Sequence, residues 1–305
     1  MIRLLHLNED GSISLTEWNP PVPPYAILSH TWGDPNEEVS YQDIIQGTAS
    51  LKKEYRKIKF CRKQAASDGL HYFWVDTCCI NQPNFSELSE AINSMFRWYR
   101  EAAHCYVYMA DVSTRVTGPL ARSQFYKSRW FTRGWTLQEL LAPASVRFFS
   151  VEGDPLGDKM SLETQIHNIT KIDIRALRGK PLSQFSVPER ITWSSGRQTA
   201  RDEDAAYCLL GIFEVFIPLI YGEGKANAMK RLEEEFQKRL ENASGRPREE
   251  IFDRSKSTKQ PSAASTSSNQ LTSAGLGGEY DHYADEDHCY NCGGYGHFAR
   301  DCDET

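Results

Sequence analysis

At 305 residues, with 40% apolar and 25% charged side chains, the chain is long enough for one large domain plus appendages and can build a sizeable core. No apolar run approaches the length of a bilayer span. Met1 to Gly11 carries Arg3, Glu9 and Asp10 where a secretory leader needs an uninterrupted apolar stretch, so an intracellular protein of the cytoplasm or nucleus, with no membrane partner, is expected. The net charge of −6 resides at one end: residues 279–305 hold eight acidic residues and one basic, Arg300, which leaves a near-neutral body with no broad basic face for a nucleic-acid duplex.

Residues 1–24 read as a lead-in segment: a strand from Ile2 to Leu7, a turn at Glu9-Asp10-Gly11, then Pro20, Pro21, Pro23 and Pro24. Tyr25 to His30 is a compact apolar run that reads as a buried strand and delivers polar groups into the turn Thr31-Trp32-Gly33-Asp34. Leu51, Tyr55, Ile58, Cys61 and Ala65 then predict a helix stopped by Gly69. His71 to Asp76 repeats the strand pattern. Asn84 with Glu87 predicts a capping box for the helix striped by Leu88, Ile92, Met95, Phe96 and Tyr99. Cys105 to Met109 and Val146 to Phe149 are the third and fourth strands of this series.

Between those two strands lies Ser128 to Pro143, which reads as one short helix with Leu137, Leu140 and Leu141 on its apolar face and Pro143 as its stop. Trp130 and Trp135 give it a large aromatic surface to bury. Packed on a sheet, such a helix holds Glu139, which lies off the apolar stripe, as a lone carboxylate at the border of that packing, whereas spacing alone favours a solvated charge paired with Arg133 or Arg129.

The alternation of strand and helix predicts an α/β fold: a central, mainly parallel sheet with helices on both faces and right-handed crossovers. Such sheets bind ligands beyond the carboxyl ends of their strands, where Ser29, His30, Asp34, Asp76, Cys78 and Asp111 fall. Ser29 and His30, as neighbours in a strand, point to opposite faces and make no nucleophile–base pair. Cys78 and Cys79 read as core rather than as nucleophiles, and Asp76 suits either a site or a turn equally. Residues 25–150 are thus read as the α/β core. Residues 151–242 read as a helical extension that serves as packing support, with helices over Glu203 to Phe213 and Lys225 to Leu240 and a tight turn at Gly222-Glu223-Gly224 between them. Residues 243–285, rich in Ser, Thr, Ala, Gln and Gly, read as a disordered linker.

The eight cysteines divide into five in apolar surroundings and three, Cys289, Cys292 and Cys302, beside His297. The latter have the spacing C-x2-C-x4-H-x4-C, a closed tetrahedral Zn2+ set in which Gly293, Gly294 and Gly296 allow the tight turns. Fourteen residues are too few to fold on apolar burial, so the ion supplies the folding free energy. Residues 286–305 resemble a retroviral-type zinc knuckle, with Tyr290 and Phe298 at the aromatic or apolar positions. The resemblance implies single-stranded RNA or DNA as partner, stacked on those side chains with Arg300 as the lone cation. The surrounding carboxylates oppose phosphate, so a protein-binding knuckle stays open as the alternative.

Five ordered blocks carry a second resemblance: AILSHTWG (Ala26 to Gly33), FWVDTCCIN (Phe73 to Asn81), ELSEAINSMFRWY (Glu87 to Tyr99), SRWFTRGWTLQELLAP (Ser128 to Pro143) and AYCLLGIFEVFIPLIYGEG (Ala206 to Gly224). They resemble the heterokaryon incompatibility (HET) domain of filamentous fungi, which implies a death effector in nonself recognition acting through self-association or partner proteins. A more distant resemblance, carried by the first strand and by Trp135-Thr136-Leu137-Gln138-Glu139-Leu140, is to TIR domains, several of which cleave NAD+ with a glutamate in a W-C-x-x-E-L helix; Thr136 stands in place of the cysteine. That resemblance implies NAD+ as substrate, Glu139 as the catalytic carboxylate, and Ser29, His30, Asp76 and Trp135 as the pocket around it. A scaffold that only recruits partners, and a nucleic-acid adaptor dominated by the knuckle, are the competing readings.

Overall fold

A computed structural model describes residues 1–8 and 10–244. The first two residues of the expected linker, Ala243 and Ser244, end the last helix; the rest of it and the knuckle residues Cys289, Tyr290, Cys292, His297, Phe298, Arg300 and Cys302 lie outside the described residues. Seven strands, β1 (Ile2–Leu7), β2 (Ile13–Trp18), β3 (Tyr25–His30), β4 (Tyr72–Trp74), β5 (His104–Tyr108), β6 (Val146–Phe149) and β7 (Pro155–Asp158), form one sheet in the order β2-β1-β4-β3-β5-β6-β7. The four central strands are parallel, and each pairing at the margins is antiparallel. All six residues of β3 are buried, as a strand sandwiched between β4 and β5 and covered on both faces must be.

Twelve α-helices accompany the sheet among the described residues: α1 (Tyr41–Ile45), α2 (Tyr55–Ser67), α3 (Asp76–Cys79), α4 (Phe85–Glu101), α5 (Pro119–Lys127), α6 (Thr136–Leu141), α7 (Glu163–Thr170), α8 (Ile174–Leu177), α9 (Val187–Thr192), α10 (Asp204–Tyr207), α11 (Leu210–Phe213) and α12 (Gly224–Ser244). Alternate side chains of the strands show which layer each helix belongs to. Tyr106 and Arg147 reach Asp68 at the end of α2, and Tyr108 and Phe149 pack on Phe60 of the same helix. Ser29, Cys105 and Phe148, on the other face, meet Glu139 and Trp130, while Tyr25 bonds the Trp98 carbonyl of α4. The crossover from β3 to β4 therefore runs over one face and that from β4 to β5 over the other. Their divergence beside β3 opens a crevice at its carboxyl end.

Several expectations change. The lead-in segment adds two strands to the sheet: Ile13–Trp18, half-buried along its length, pairs with all of β1 and was invisible as a separate apolar run. The sheet is therefore mixed at its margins, where hairpins replace crossovers. Leu51 is 82% exposed in a 3-10 turn, so the second helix begins only at Tyr55. Asn84 caps α4 by accepting from the Glu87 amide, but the Glu87 carboxylate turns away to Arg3, at 2.6 Å for each oxygen, and no capping box closes. The expected helix over Glu203 to Phe213 is two short helices, α10 and α11.

Candidate active site at the strand ends

The tryptophan segment breaks where one helix was expected. Arg129–Thr132 is a 3-10 turn, and α6 starts only at Thr136. Asp111 caps the turn, accepting from Ser128 Oγ and the Arg129 amide at 2.7 Å each. At the break, Gly134 donates its amide to the Gln198 carbonyl at 2.8 Å, and a Cβ there would come within 2.5 Å of Thr199. Only glycine lets the two backbones approach so closely. The stop at Pro143 holds, and Lys159 supplies the missing cap: its buried ammonium donates to the Leu140 and Pro143 carbonyls at 3.2 and 2.6 Å.

The break rotates α6 so that Glu139 faces the sheet. Its side chain is buried, the residue being 5% exposed, and it pairs with neither Arg129 nor Arg133. The reading of Glu139 as a solvated charge is overturned. Ser29 Oγ, which accepts from Trp130 Nε1 at 2.8 Å, donates to Glu139 Oε2 at 2.5 Å. Hydroxyl partners, Ser29 and Tyr99, do not replace the lost hydration. Burial, reinforced by the charge of Asp76, pushes the Glu139 carboxyl up to about 8, against smaller opposing effects of Ser29, Tyr99 and Arg197.

Asp76 has a different setting. It opens α3 directly after β4, where Oδ1 accepts from His30 Nε2 and from the Thr77 amide at 2.9 Å each, and Oδ2 accepts from Trp32 Nε1 at 2.8 Å. Burial works against its charge, but His30 and these hydrogen bonds prevail and hold the carboxyl below its usual value. His30 donates its Nε2–H to this carboxylate, and its Nδ1 is buried without a partner. Asp76 thus bonds the Thr77 amide at the start of α3 and also borders the cavity.

His30, Asp76, Trp135 and Glu139 line one cavity of about 210 Å3, and Ser29 stands behind Glu139. Ile80, Leu88, Ile92 and Met95 form its apolar wall; Trp32, Trp135 and Tyr221 add aromatic faces. Arg133, Arg201 and Asp204 complete it. Asp34, Cys78 and Asp111, also at strand ends, take no part in this lining. Cys78 is buried, and burial raises its thiol well above the usual range, which suits core rather than nucleophile.

The region read as packing support contributes more than packing. Ala200, Arg201, Asp204 and Tyr221 all border the cavity. Asp204 accepts from Trp135 Nε1 at 3.2 Å and from Tyr221 Oη at 3.0 Å, and burial raises its carboxyl above the ordinary value against both bonds. Arg201 lies 4.0 Å over the Tyr221 ring. Glu203 closes the turn before α12 by accepting from the Gly222 and Gly224 amides at 2.8 and 3.0 Å, with both glycines at positive φ, so this loop is a backbone turn and its amides are taken. Nothing in the periodicity of residues 200–221 marks them as site residues. The adjacent acids Glu203 and Asp204, opening an apolar run, were the one available signal.

The geometry suits a ligand with a planar ring and an anionic group. Aromatic faces accept the ring, two guanidiniums without a salt-bridge partner among the described residues border the space, and three carboxyls, those of Asp76, Glu139 and Asp204, line it. Among the described residues no cluster of His, Cys, Asp and Glu is arranged to hold a metal ion, and no helix is long and apolar enough to cross a membrane.

Residues 25–123 match the family model for heterokaryon incompatibility protein (HET), and residues 287–304 match that for the zinc knuckle. Over 243 residues the chain is 56% identical to the vegetative incompatibility protein HET-E-1 of Podospora anserina, an alignment that covers 78% of this chain and 18% of that protein. The chain therefore spans less than a fifth of the length of this curated relative. No solved structure gives a significant match.

Proposed function

We propose that this chain, which carries a HET domain and a zinc-knuckle sequence, acts as an incompatibility effector whose α/β body hydrolyses NAD+ at the strand-end cavity. The incompatibility role rests on the family match and on the relative's name. The chemical role rests on one observation: Glu139, in the block that resembles the TIR glutamate helix, is buried at the inner end of a cavity instead of lying on the surface.

Breaking the nicotinamide–ribose bond moves positive charge from the pyridinium ring to the sugar. A carboxyl beside that charge stabilises the transition state, and aromatic walls keep out competing water. The 210 Å3 cavity takes the nicotinamide end of the dinucleotide, and Arg133 and Arg201 receive its phosphates at the border. In the empty protein Glu139 carries a proton at neutral pH; a pyridinium entering the site draws it to the ionised form. Once the bond breaks and the ring leaves as neutral nicotinamide, the buried carboxylate regains its affinity for a proton and accepts that of the attacking water.

The knuckle is a separate proposal from the sequence. Its three thiols and one imidazole suit Zn2+, and Tyr290, Phe298 and Arg300 offer stacking and one charge to single-stranded nucleic acid.

The cavity reading is tested by incubating the concentrated full chain with NAD+ and measuring nicotinamide by chromatography. Nicotinamide should accumulate with the wild-type chain and fall at least roughly a hundredfold with Glu139→Ala, in line with loss of one electrostatic or acid–base group. Absence of release from the wild-type chain contradicts the hydrolytic reading and leaves the recruiting scaffold.

A further inference from the structure

Three carboxyls, Asp76, Glu139 and Asp204, border the cavity, and the resemblance assigns the catalytic role to Glu139 alone. Asp76 is the more accessible: its side chain is 18% exposed, whereas the whole of Glu139 is 5% exposed. It is also the one built to be charged. Three donors, from His30, Trp32 and Thr77, reach its two oxygens at 2.8 to 2.9 Å, two of them N–H groups of rings, while Glu139 has only hydroxyl partners, Ser29 at 2.5 Å and Tyr99. An ionised carboxylate offers about four lone-pair sites. With two donors on Oδ1 and one on Oδ2, Asp76 retains an open position on Oδ2, beside the aromatic edge of Trp32 at the cavity.

We propose that Asp76 is a second catalytic carboxylate, the group whose fixed negative charge faces the developing ribosyl cation. This rests on the reading of the cavity as an NAD+ hydrolase site. The bond from ribose C1′ to the pyridinium nitrogen breaks, and both its electrons pass to that nitrogen, giving neutral nicotinamide. Water oxygen then bonds to C1′ of the cation, and the water proton goes to Glu139 and on to solvent. Asp76 gains and loses no proton in the cycle. Its partners are the means of keeping it so: the His30 imidazole and the Trp32 indole stabilise the charged form before substrate arrives, so little reorganisation is needed as the bond breaks. The two carboxyls are thereby driven apart in character, one permanently charged and one exchanging a proton, the pattern expected of a divided charge-stabilising and acid–base pair.

The test uses the full chain and NAD+, with nicotinamide release followed over a range of substrate concentrations for wild type, Asp76→Asn and Asp76→Glu. Asn keeps the size of the side chain and an oxygen to accept from His30 and Thr77, losing only the bond from the exposed Trp32 indole, so far-UV circular dichroism should stay near wild type and the chain should remain folded. The expected result is a loss of kcat of roughly 10²- to 10³-fold in Asp76→Asn, with KM changed by less than about threefold, because the charge acts in the transition state and not in ground-state binding. Partial recovery of kcat in Asp76→Glu supports the requirement for charge. Wild-type activity with an Asp76→Asn chain within about threefold of it overturns the role of Asp76 while the hydrolytic reading stands. A folded Asp76→Asn chain whose KM alone rises also overturns it, since Asp76 then only binds substrate. No release from the wild-type chain overturns the hydrolytic reading and this role with it.

Discussion

Replacing Glu139 by glutamine removes a titrating group from the sheet–helix interface while keeping its size and its bond from Ser29. Burial raises the carboxyl from an ordinary 4.5 to about 8 in the folded chain. An acid with a raised folded value holds its proton longer in the folded state than in the unfolded one. Between pH 4.5 and about 8 the unfolded chain has lost that proton and the folded chain has not, so folding stability falls as pH rises across this window and is lowest above it. At about 1.4 kcal/mol for each pH unit, the window corresponds to about 3 to 5 kcal/mol. Beside burial, the groups that set it are Asp76 from α3, Ser29 from β3, Tyr99 from α4 and Arg197 from the helical region, while His30, Arg133, Arg201 and Asp204 share the cavity with Glu139. All of these remain in the variant, so comparison with wild type isolates position 139. Urea unfolding at pH 5, 7 and 9 should show Glu139→Gln near wild type at pH 5 and more stable than wild type by about 3 kcal/mol or more at pH 9. A stability difference that stays constant across those three pH values would refute the buried, proton-holding carboxyl.

Gly211→Ala should destabilise the chain by about 2 to 3 kcal/mol or prevent folding, because the new methyl would lie 2.1 Å from Cβ of Phe96 where α11 crosses α4; thermal melting measures this, and a melting point within about 2 °C of wild type argues against the close approach. Lys159→Met leaves the Leu140 and Pro143 carbonyls at the end of α6 without their donor, at a cost of about 1 to 3 kcal/mol in urea unfolding. Burial lowers the Lys159 ammonium from 10.5 to about 8, so the wild-type chain alone gains stability as pH rises from about 8 towards 10.5, and the difference from the variant should widen over that range. For the knuckle, metal analysis should find one zinc per chain and His297→Ala should lower its retention against a chelator. Fluorescence anisotropy with labelled single-stranded RNA at low ionic strength should show salt-sensitive binding by the full chain; none in the wild type supports a protein-binding knuckle.

Much of the sheet was legible because its central strands are uniformly apolar and end in polar turns, so β3, β5 and β6 stand out as runs and α4 as a periodic stripe. The flanking hairpins were not, since Ile13–Trp18 mixes Ser, Thr and Glu into a half-buried strand and Pro155–Asp158 has no apolar run at all. Position 139 shows a deeper reason. Spacing along one helix placed Glu139 off the apolar stripe, which in an isolated amphipathic helix means solvent. Here α6 is enclosed, with all six of its residues buried, and the face opposite its leucines is pressed on β3. The break at Gly134 that produces this orientation depends on Gln198 and Thr199, more than sixty residues further along. Likewise, Asp204 and Tyr221 reach the cavity only through the path of the helical region, which local pattern does not encode.

The most direct measurement is a crystal structure of the Glu139→Ala chain soaked with NAD+, a variant expected to bind the dinucleotide and not cleave it. The account predicts an intact nicotinamide–ribose bond inside the strand-end cavity, with C1′ within about 3.5 Å of an Asp76 oxygen and the phosphates towards Arg133 and Arg201. Dinucleotide in the larger groove between Phe85 and Phe216, with the strand-end cavity empty, would contradict it.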